Sequence, residues 1–480
     1  MIYLFGFLPV DRLYSQTFDP AFTSGPEVIE YAAIKLDQTL QELAFDSKKH
    51  PGHTDPDTGR WITFSHHDWT SGYFSGMLWY MYQLTGESKW RESARKWTED
   101  LEPMALYAGD HDNGVRIHYS FGNGYKLTGD RKYRQIALLA AGTLSSRYDP
   151  AIGAIKSWEP WKELNATYPV IIDNLMNLEL LFWAAKEGKN QEFHEIAHAH
   201  ARTTMHHHLR ADGSTYHIVD FGDNGTVNRK FTVQGYGPES VWSRGQAWAI
   251  YGFTMAYRYT GDPELLEAAN AAATWYLDHL PEDHIPWYDF RDPSIPYTTK
   301  DASSAAIAAS ALIELYSFTD ENRFIRGAEN ILRSLFDTSY SNIDSAGSSM
   351  LMRSTRYRGD AERGTIYADY YFLEAVLRHQ VLVGVPLPDI ELQTSLFLEQ
   401  NYPNPFQTRT RINYSIETPG HVELLLYDTS GKLVSPLLNQ YRDPGFYQYD
   451  LALQSLASGI YIYVLKADGH MEARKMVVIR

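Results

Sequence analysis

The stretch "YQLTGESKWRESARKW" (82–97) shows the pattern that decides the fold. An apolar helix end is followed by a Thr-Gly-Glu turn and then by an amphipathic helix. Glycine ends helices because it adopts a left-handed backbone conformation at little cost, and an acidic residue near the next N-terminus suits the helix dipole. The layout recurs, in the last case loosely, in four further stretches: "YKLTGDRKYRQIALLAA" (125–141), "YRYTGDPELLEAANAAATWY" (257–276), "YSFTDENRFIRGAENILRSL" (316–335) and "FWAAKEGKNQEFHEIAHAHA" (182–201).

These helical hairpins lie at uneven spacing, with longer loops between them. A repeated unit of this kind buries its apolar face against its neighbours, so the pattern predicts a closed toroid of paired helices. We expect an all-α (α/α)6 barrel, the catalytic domain, over residues 19–385. Its inner helices are the apolar ones before each turn, and its long loops line one mouth.

The composition excludes several classes of protein. The formal net charge is −16 over 480 residues and no long Lys/Arg block is present, so nucleic acid is not an expected partner. The lack of cysteine excludes disulfides and thiolate metal sites. No stretch has about 18 uninterrupted apolar residues, so no membrane span is expected. The 34 Tyr and 12 Trp suit either a carbohydrate site or a large helical core.

The composition changes near residue 385. A Pro-punctuated linker (386–396) precedes five runs with the period of β-strands: "TRINYSI", "HVELLLYD", "YQYDLA", "GIYIYVLKA" and "ARKMVVI". They predict a small all-β sandwich over 397–480. The motifs "NYPNPF", "VELLLYDTSGKLV" and "LASGIYIYVLKADGHMEARKMVVIR" closely resemble the type A sorting domain of the type IX secretion system.

That resemblance implies a protein exported through the periplasm and then secreted or held at the cell surface, with the type IX machinery as a partner. It also implies an N-terminal export signal. The start, "MIYLFGFLPVDRLYSQ", has the apolar part of such a signal but lacks a basic beginning and contains Asp11 and Arg12. We interpret residues 1–18 as a degraded or truncated signal segment, and a buried N-terminal segment is the alternative.

Two carboxylates stand at the boundary between a loop and an apolar stretch. Asp112 precedes "NGVRI", and Asp173 precedes "NLMNLELLFW". Either can be a helix cap, because Asp accepts hydrogen bonds from free helix N–H groups. Both are also expected where inner helices meet loops at one mouth. Two carboxylates there suit acid/base chemistry, because burial and mutual repulsion can hold one protonated.

A histidine-rich segment raises the question of a metal site. His194 and His198 form the H-E-x-x-H pattern of zinc sites in "FHEIAHAHA". We expect an outer helix there, packed through Phe193 and Ile196, and no third-ligand pattern follows. The run "MHHHL" (205–209) is no better as a metal site. The sequence therefore predicts no metal site and no cofactor, and a metalloprotease is the alternative.

A third group lies in "STYHIVDF" and "TVQGYGPESVWSRGQAWAIYGF", which contain His217, Gln234, Arg244 and Trp248. Arg244 and Trp248 are four residues apart, so they share one face of a helix that begins near Ser243. A guanidinium beside an indole can hold a sugar carboxylate while the ring stacks on the sugar. An Arg–aromatic packing pair inside the bundle is the alternative.

Seven motifs follow one another along the chain: "HHDWTSGYFSGMLWYMYQLTGE", "GDHDNGV", "IIDNLMNLELLFWA", "DGSTYHIVDF", "WSRGQAWAIYGFT", "DASSAAIAASALIEL" and "ADYYFLEAVLR". Together they resemble the unsaturated glucuronyl hydrolases, glycoside hydrolase family 88, over nearly all of 25–380. The resemblance implies an (α/α)6 barrel. It also implies removal of a 4,5-unsaturated uronic acid from the non-reducing end of lyase-generated oligosaccharides, by hydration of the vinyl ether double bond.

The resemblance also implies roles for individual residues. Asp173 is then the general acid/base, which protonates C4 and activates the water that adds at C5. Asp112 is the second essential aspartate, although "HDNGV" here departs from the family's usual "HDLGF" or "HDIGF" and puts the neighbouring wall in doubt. Nine residues are implied to bind or surround the substrate, Arg244 through the uronate carboxylate: His217, Gln234, Arg244, Trp248, Trp69, Tyr73, Trp158, His111 and Tyr370.

Three further residues match a region in which some relatives bind sulfate, or else are surface residues: Ser354, Arg356 and Arg358 in "MRSTRYRG". The nearest rival class is the unsaturated rhamnogalacturonyl hydrolases, family 105, which share the barrel and the chemistry. A rival of another class is a non-catalytic surface glycan-binding protein. It fits the aromatic content but explains the paired aspartates only as caps.

Overall fold

The computed structural model describes residues 25–159, 164–390, 396–416, 419–443, 445–452, 456–467 and 469–479. Among these, residues 25–124 and 134–390 belong to one compact unit, and residues from 396 onward belong to a second together with 125–133. The expected signal segment at 1–18 lies outside the described residues, as do residues 391–395 of the expected linker.

The helices alternate between an inner and an outer layer. In chain order they are α1 (Pro26–Glu42), α2 (Ser71–Thr85), α3 (Ser88–Asp100), α4 (Asn113–Ile117), α5 (Asn123–Thr128), α6 (Arg131–Ser145), α7 (Leu178–Gly188), α8 (Gln191–His208), α9 (Ser243–Thr260), α10 (Pro263–Asp278), α11 (Ala302–Thr319), α12 (Asn322–Leu335) and α13 (Ile366–Leu382). A π-helical turn, His118–Gly122, joins α4 to α5.

The inner layer is a closed ring. Its members are α2, α4 with its π-helical turn, α7, α9, α11 and α13, and α13 packs back against α2. Inner helices are buried nearly all round, as in α11 from Ala302 to Tyr316. Outer helices bury only a stripe, as α12 does from Phe324 to Leu335. The predicted (α/α)6 barrel is confirmed.

The turn motifs end inner helices in the way the sequence predicts. Gly86 follows α2 with φ = 70°, and Gly261 follows α9 with φ = 66°. Asp320 takes the same left-handed conformation after α11, which a short polar side chain tolerates.

The long loops of the barrel contain short strands that the sequence analysis did not foresee. They are β1 (His50–Thr54), β2 (Trp61–Phe64), β3 (Tyr148–Asp149), β4 (Ala154–Ile155), β5 (Tyr168–Ile171), β6 (Ile218–Phe221) and β7 (Val227–Phe231). β5, β6 and β7 form an antiparallel sheet, although about 45 residues separate the first two. Buried loop backbone needs hydrogen-bond partners, and this distant pairing supplies them. Runs of two to five residues carry too little periodicity to reveal it.

The second unit is the predicted β-sandwich. Its strands are β8 (Phe397–Leu398), β9 (Arg409–Ile416), β10 (Gly420–Asp428), β11 (Leu433–Arg442), β12 (Gly445–Ala452), β13 (Gly459–Ala467) and β14 (His470–Val478). They form antiparallel sheets in the orders β11-β10-β13-β14 and β12-β9-β8, with one apolar core between them. The sequence analysis missed β11 because it contains Pro436. Proline is tolerated there because β11 is an edge strand.

Candidate active site

The N-terminal ends of the inner helices meet at one mouth of the barrel. Arg244, the second residue of α9, donates a hydrogen bond to Asp301 at the N-cap of α11 (3.1 Å). The ring of Tyr367, at the start of α13, lies 5.1 Å from the Arg244 guanidinium. It also lies 5.1 Å from the ring of Trp69, just before α2. The mouth therefore collects side chains that are far apart in the sequence.

The β5–β6 pairing places Asp173 beside His217. Ile171 pairs with Ile218, and the N–H of Ile172 donates to the carbonyl of His217 (3.0 Å). Asp173 follows β5 and His217 precedes β6, so the antiparallel register brings both residues to the same end of the sheet. His217 Nε2 lies 3.8 Å from Asp173 Oδ2.

His217 is held as a neutral imidazole. Its Nδ1 bonds to Thr232 Oγ1 (2.9 Å), and its ring packs on Trp242 with a centroid distance of 4.4 Å. Burial, with the nearby charge of Arg244, lowers the pKa of His217 well below its usual value. Nε2 has no hydrogen-bond partner among the described residues, which leaves it directed at Asp173.

Asp112 occupies the N-cap position of α4, but its side chain does not cap that helix. Its Oδ1 lies 3.4 Å from Asn177 Nδ2 and 3.6 Å from His111 Nε2. Asp262 and Asp301, by contrast, cap α10 and α11 by accepting hydrogen bonds from backbone N–H groups. The capping interpretation therefore fails for Asp112.

Asp173 lies in a 3₁₀ helix, Ile172–Asn177, immediately before α7. Its Oδ2 is buried and has no hydrogen-bond partner in the described part of the chain. A buried polar atom without a partner is costly, so such an atom in a native fold needs an explanation. The Oδ2 of Asp173 is therefore available to a ligand and does not cap the helix.

Both carboxyls of the mouth titrate near neutral pH. Burial raises the pKa of Asp173 to about 6, with Arg244 and His111 opposing the shift and Asp112 adding to it. Burial raises the pKa of Asp112 to about 7, and the negative charge of Asp110 adds to that effect. A carboxyl whose pKa lies near the working pH can both give and take a proton.

Arg244 and Gln234 hold a loop at the mouth. Arg244 Nη1 donates to the carbonyl of Thr355 (2.7 Å) and Nη2 to the carbonyl of Arg356 (2.8 Å). Gln234 Nε2 donates to the carbonyl of Arg356 as well (3.1 Å). With Asp301 also bound to Arg244, the guanidinium is largely used within the protein, and its positive charge opposes the rise in the pKa of Asp173.

The predicted aromatic residues lie at two depths. Trp69 and Trp158 are half-buried at the mouth, where a sugar ring can reach them. Tyr73, Trp248 and Tyr370 are at most 1% exposed. The hydroxyl of Tyr370 bonds to a second buried tyrosine rather than facing the mouth. The deeper rings therefore form the floor beneath the carboxyls, not a stacking wall.

The three residues of the sulfate hypothesis differ in environment. Ser354 is buried, and its Oγ has no hydrogen-bond partner among the residues described. Arg356 Nη1 is paired with Asp360 Oδ2 (2.7 Å) and contacts His53 Nε2 (3.2 Å). Arg358 is exposed and lies 4.5 Å from the ring centroid of Tyr236.

The histidines of α8 make structural contacts. His198 Nε2 bonds to Asp262 Oδ2 (2.7 Å), and the ring of His194 packs edge-on against Phe182 with a centroid distance of 5.5 Å. Within the described ranges, no group of three or more His, Asp and Glu residues could hold a metal ion. In the same part of the chain, no helix is both long and apolar enough to cross a membrane.

Sequence reasoning missed four residues that shape the site: Thr232, Trp242, Asp301 and Tyr367. Trp242 was within reach, because it stands two residues before Arg244 in a segment already singled out. Asp301 opens the apolar run "ASSAAIAASALIEL" as a cap would. Thr232 and Tyr367 carry no local signal, since only the tertiary fold brings them to the mouth.

Comparisons with known proteins match both parts of the chain. Residues 47–285 match Glycosyl Hydrolase Family 88, and residues 400–479 match a secretion system C-terminal sorting domain. An unsaturated glucuronyl hydrolase from Formosa agariphila is 41% identical over 66% of this chain and 81% of its own length. An unsaturated chondroitin disaccharide hydrolase from Streptococcus pneumoniae is 30% identical over 65% of this chain and 81% of its own.

A solved structure shows the same fold. The crystal structure of an unsaturated glucuronyl hydrolase specific for heparin matches with a TM-score of 0.71 and 34% identity, over 75% of this chain and 97% of that one. The resemblance stated from the motifs is confirmed. The chain is a glycoside hydrolase that belongs to glycosyl hydrolase family 88, and it carries a C-terminal secretion sorting domain.

Proposed function

We propose that this enzyme removes a 4,5-unsaturated uronic acid from the non-reducing end of oligosaccharides by hydrating the vinyl ether double bond. The observation that carries the proposal is Asp173. Its side chain is 13% exposed, its Oδ2 is buried without a hydrogen-bond partner among the described residues, and its pKa is raised to about 6 beside the neutral His217. The relatives named above for unsaturated glucuronyl and chondroitin substrates support the same reaction.

The reaction divides into two proton transfers at one residue. Protonated Asp173 gives its proton to C4, and the positive charge that develops at C5 is shared with the ring oxygen. Water then adds at C5 and returns a proton to the Asp173 carboxylate. The resulting hemiketal opens, and the hemiacetal left at C1 releases the neighbouring sugar. The unpartnered Nε2 of His217 is placed to orient the water.

A protein with a negative net charge needs local positive charge to bind an anionic sugar. The inner helices direct their N-terminal ends at the mouth, and helix N-termini carry partial positive charge. The guanidinium of Arg244 adds a full positive charge at the same place. We propose that these fields hold the substrate carboxylate against a formal net charge of −16. Trp69 and Trp158 supply flat surfaces for the sugar rings.

The parent polysaccharide is a separate question. Solved structures of relatives include one specific for heparin and one complexed with dGlcA-GalNAc6S. Heparin and dGlcA-GalNAc6S are different compounds, so we propose only a glycosaminoglycan-like or related uronate polymer for this chain. Of the three residues of the sulfate hypothesis, Ser354 is fully buried and Arg356 is paired with Asp360. Arg358 is therefore the residue we propose to contact a sulfate group, if the substrate carries one.

The sorting domain supports a proposal about location. We infer that the type IX machinery exports the protein through the periplasm and that the enzyme acts outside the cell or at its surface. Oligosaccharides released there by lyases would be its substrates.

The test is an assay of lyase-generated unsaturated disaccharides, sulfated and unsulfated, followed by loss of the vinyl ether absorbance. Saturated disaccharides of the same linkages are the matched controls. We expect turnover of the unsaturated compounds alone. Cleavage of both kinds would contradict hydration, and binding without turnover would indicate a glycan-binding protein. Exclusive turnover of rhamnose-linked compounds would indicate the substrate specificity of family 105.

A further inference from the structure

An ion pair between the partly exposed Asp110 and the buried Arg116 lies beside the backbone of Asp112. Arg116 donates from Nη1 to Asp110 Oδ1 (2.9 Å) and from Nη2 to Asp110 Oδ2 (2.8 Å), so the pair is bidentate. Asp110 Oδ1 also accepts the backbone N–H of Asp112 (2.9 Å). Because the Arg116 side chain is fully buried, this geometry is closely fixed.

Arg116 also reaches the loop before α2. Its Nε donates to the carbonyl of Asp68 (3.0 Å), and its Nη2 donates to the carbonyl of His67 (3.1 Å). Trp69 follows directly in the chain. The Arg116 guanidinium therefore fixes two segments of backbone. Through Asp110 it holds the segment of Asp112, and directly it holds the segment just before Trp69.

The pair also acts on the electrostatics of Asp112: burial is the largest cause of its raised pKa, the charge of Asp110 adds to that shift, and the charge of Arg116 opposes it. Burial alone would raise the pKa of Asp110, but the hydrogen bonds and charge of Arg116 outweigh it and hold that pKa below its usual value. Asp110 is therefore an anion beside Asp112, whose pKa burial and this anion raise to about 7. The other titratable and charged groups that face Asp112 are Arg116, Asp68, His111, Tyr73 and Asp173.

We propose that Asp110, held by Arg116, is a positioning residue of the reaction: it fixes the backbone of Asp112, and its negative charge keeps a proton on the Asp112 side chain. The inference rests on the proposed function, in which Asp173 ionises during each cycle. A neutral Asp112 adds no second negative charge beside that carboxylate or beside the anionic substrate. It also retains an O–H that can donate a hydrogen bond to a sugar oxygen.

The test measures protonation directly and does not require turnover. The infrared band of protonated carboxyls is titrated with pH in the full-length protein, and the part that Asp112→Asn removes is assigned to Asp112. In Asp110→Asn, which keeps an acceptor for the Asp112 N–H, we expect this band to disappear about one pH unit lower than in the wild type. Asp110→Glu restores the charge and should return the titration toward the wild-type pH.

Asp262→Asn is the matched control. Asp262 also accepts hydrogen bonds from an arginine and from the backbone N–H two residues later, but it lies at the start of the outer helix α10. It should leave the Asp112 band unchanged. If Asp110→Asn does not fold, Asp110→Ser removes the same charge and is measured instead.

A second readout separates this inference from the proposed function. The kcat/KM of the wild type and of Asp110→Asn is measured as a function of pH. The fall in kcat/KM at high pH should occur at a lower pH in Asp110→Asn than in the wild type, as the infrared titration does. An Asp112 band that titrates at the wild-type pH in the uncharged variants would overturn the inference, whatever the activity. A wild-type enzyme that never consumes the unsaturated bond would overturn the proposed function, while the infrared result still decides the role of Asp110.

Discussion

The barrel contains enclosed carboxyl groups in two regions, and the pKa shifts in these two regions have opposite signs. At the mouth, Asp173 has an oxygen without a hydrogen-bond partner among the described residues, and burial raises its pKa. Deeper in the barrel, Glu179 contacts Arg258, whose Nη1 also donates to Glu314 Oε1 (2.7 Å). Burial would raise the pKa of Glu179 too, but Arg258 and His118 hold it well below its usual value.

The comparison shows how a buried arginine changes the pKa and the role of a carboxyl group beside it. A buried carboxylate with a buried arginine is ionised and holds helices together, because its loss would leave an uncompensated charge. A carboxyl without such a partner has its pKa raised toward neutral pH and is available to a substrate. The deep region therefore serves stability and the mouth serves chemistry.

The largest expected effect is on turnover at the mouth. Asp173→Asn should lower kcat by about 10²- to 10⁴-fold, because it removes the group that transfers both protons. The free energy of unfolding should stay unchanged or rise, because a neutral amide replaces a poorly satisfied carboxyl. Steady-state assays and urea unfolding on the same preparation check both points. A variant that loses activity only because it unfolds would contradict the comparison.

Deeper in the barrel, we expect a substitution to lower stability while leaving substrate binding nearly unchanged. Arg258→Met should destabilise the fold by about 3–5 kcal/mol, since Glu179 and Glu314 lose their shared cation. The fraction that remains folded should keep a near-normal KM, because Arg258 does not line the mouth. Chemical denaturation measures the free energy of unfolding. Steady-state kinetics, corrected for the folded fraction of the enzyme, measure KM. An unchanged unfolding midpoint would show that the deep network is not structural.

The raised pKa values of the two carboxyls at the mouth should contribute to the pH dependence of stability. Folding raises the pKa of Asp173 and of Asp112 from 3.8 to about 6 and about 7. Their protonated forms therefore stabilise the fold below pH 4, and that contribution is lost as the pH rises through 6 and 7. The double variant with Asn at both positions should show a flatter profile of unfolding free energy over this range. Parallel profiles would contradict the raised pKa values.

The smallest expected effect is on substrate contact. Trp69→Ala should raise KM by up to about tenfold, because one aromatic stacking surface is worth about 1 kcal/mol, and should change kcat little. The unfolding midpoint of the variant is the control for loss of packing against Tyr367. A large drop in kcat would mean that Trp69 positions the reacting atoms rather than the sugar ring.

Much of the barrel was predictable because its signals are local. The helix period and the turns at Gly86 and Gly261 mark each hairpin without any knowledge of the tertiary fold. The position of Arg244 on α9 follows from the same local rules. The motifs of the family added the identity of Asp112 and Asp173, which local rules alone could not separate from helix caps.

The remaining parts of the site depend on contacts between distant segments. The pairing of β5 with β6, which places His217 beside Asp173, joins short strands that have no visible periodicity. The partners of Arg244, namely Asp301 and the loop at 353–358, are 57 or more residues away along the chain. The sequence also could not predict that Trp248 and Tyr370 lie below the mouth. Amphipathic patterns do not show how far an inner helix extends beneath it.

Proton transfer from Asp173 to carbon can be tested by following the reaction in heavy water by proton NMR. We expect the vinyl proton signal at C4 to disappear as the glycosidic bond breaks, with one deuteron first entering C4 from a single face. In Asp173→Asn both events should slow together. Release of the neighbouring sugar while the first-formed uronic acid still carries its double bond would contradict hydration and the role of Asp173.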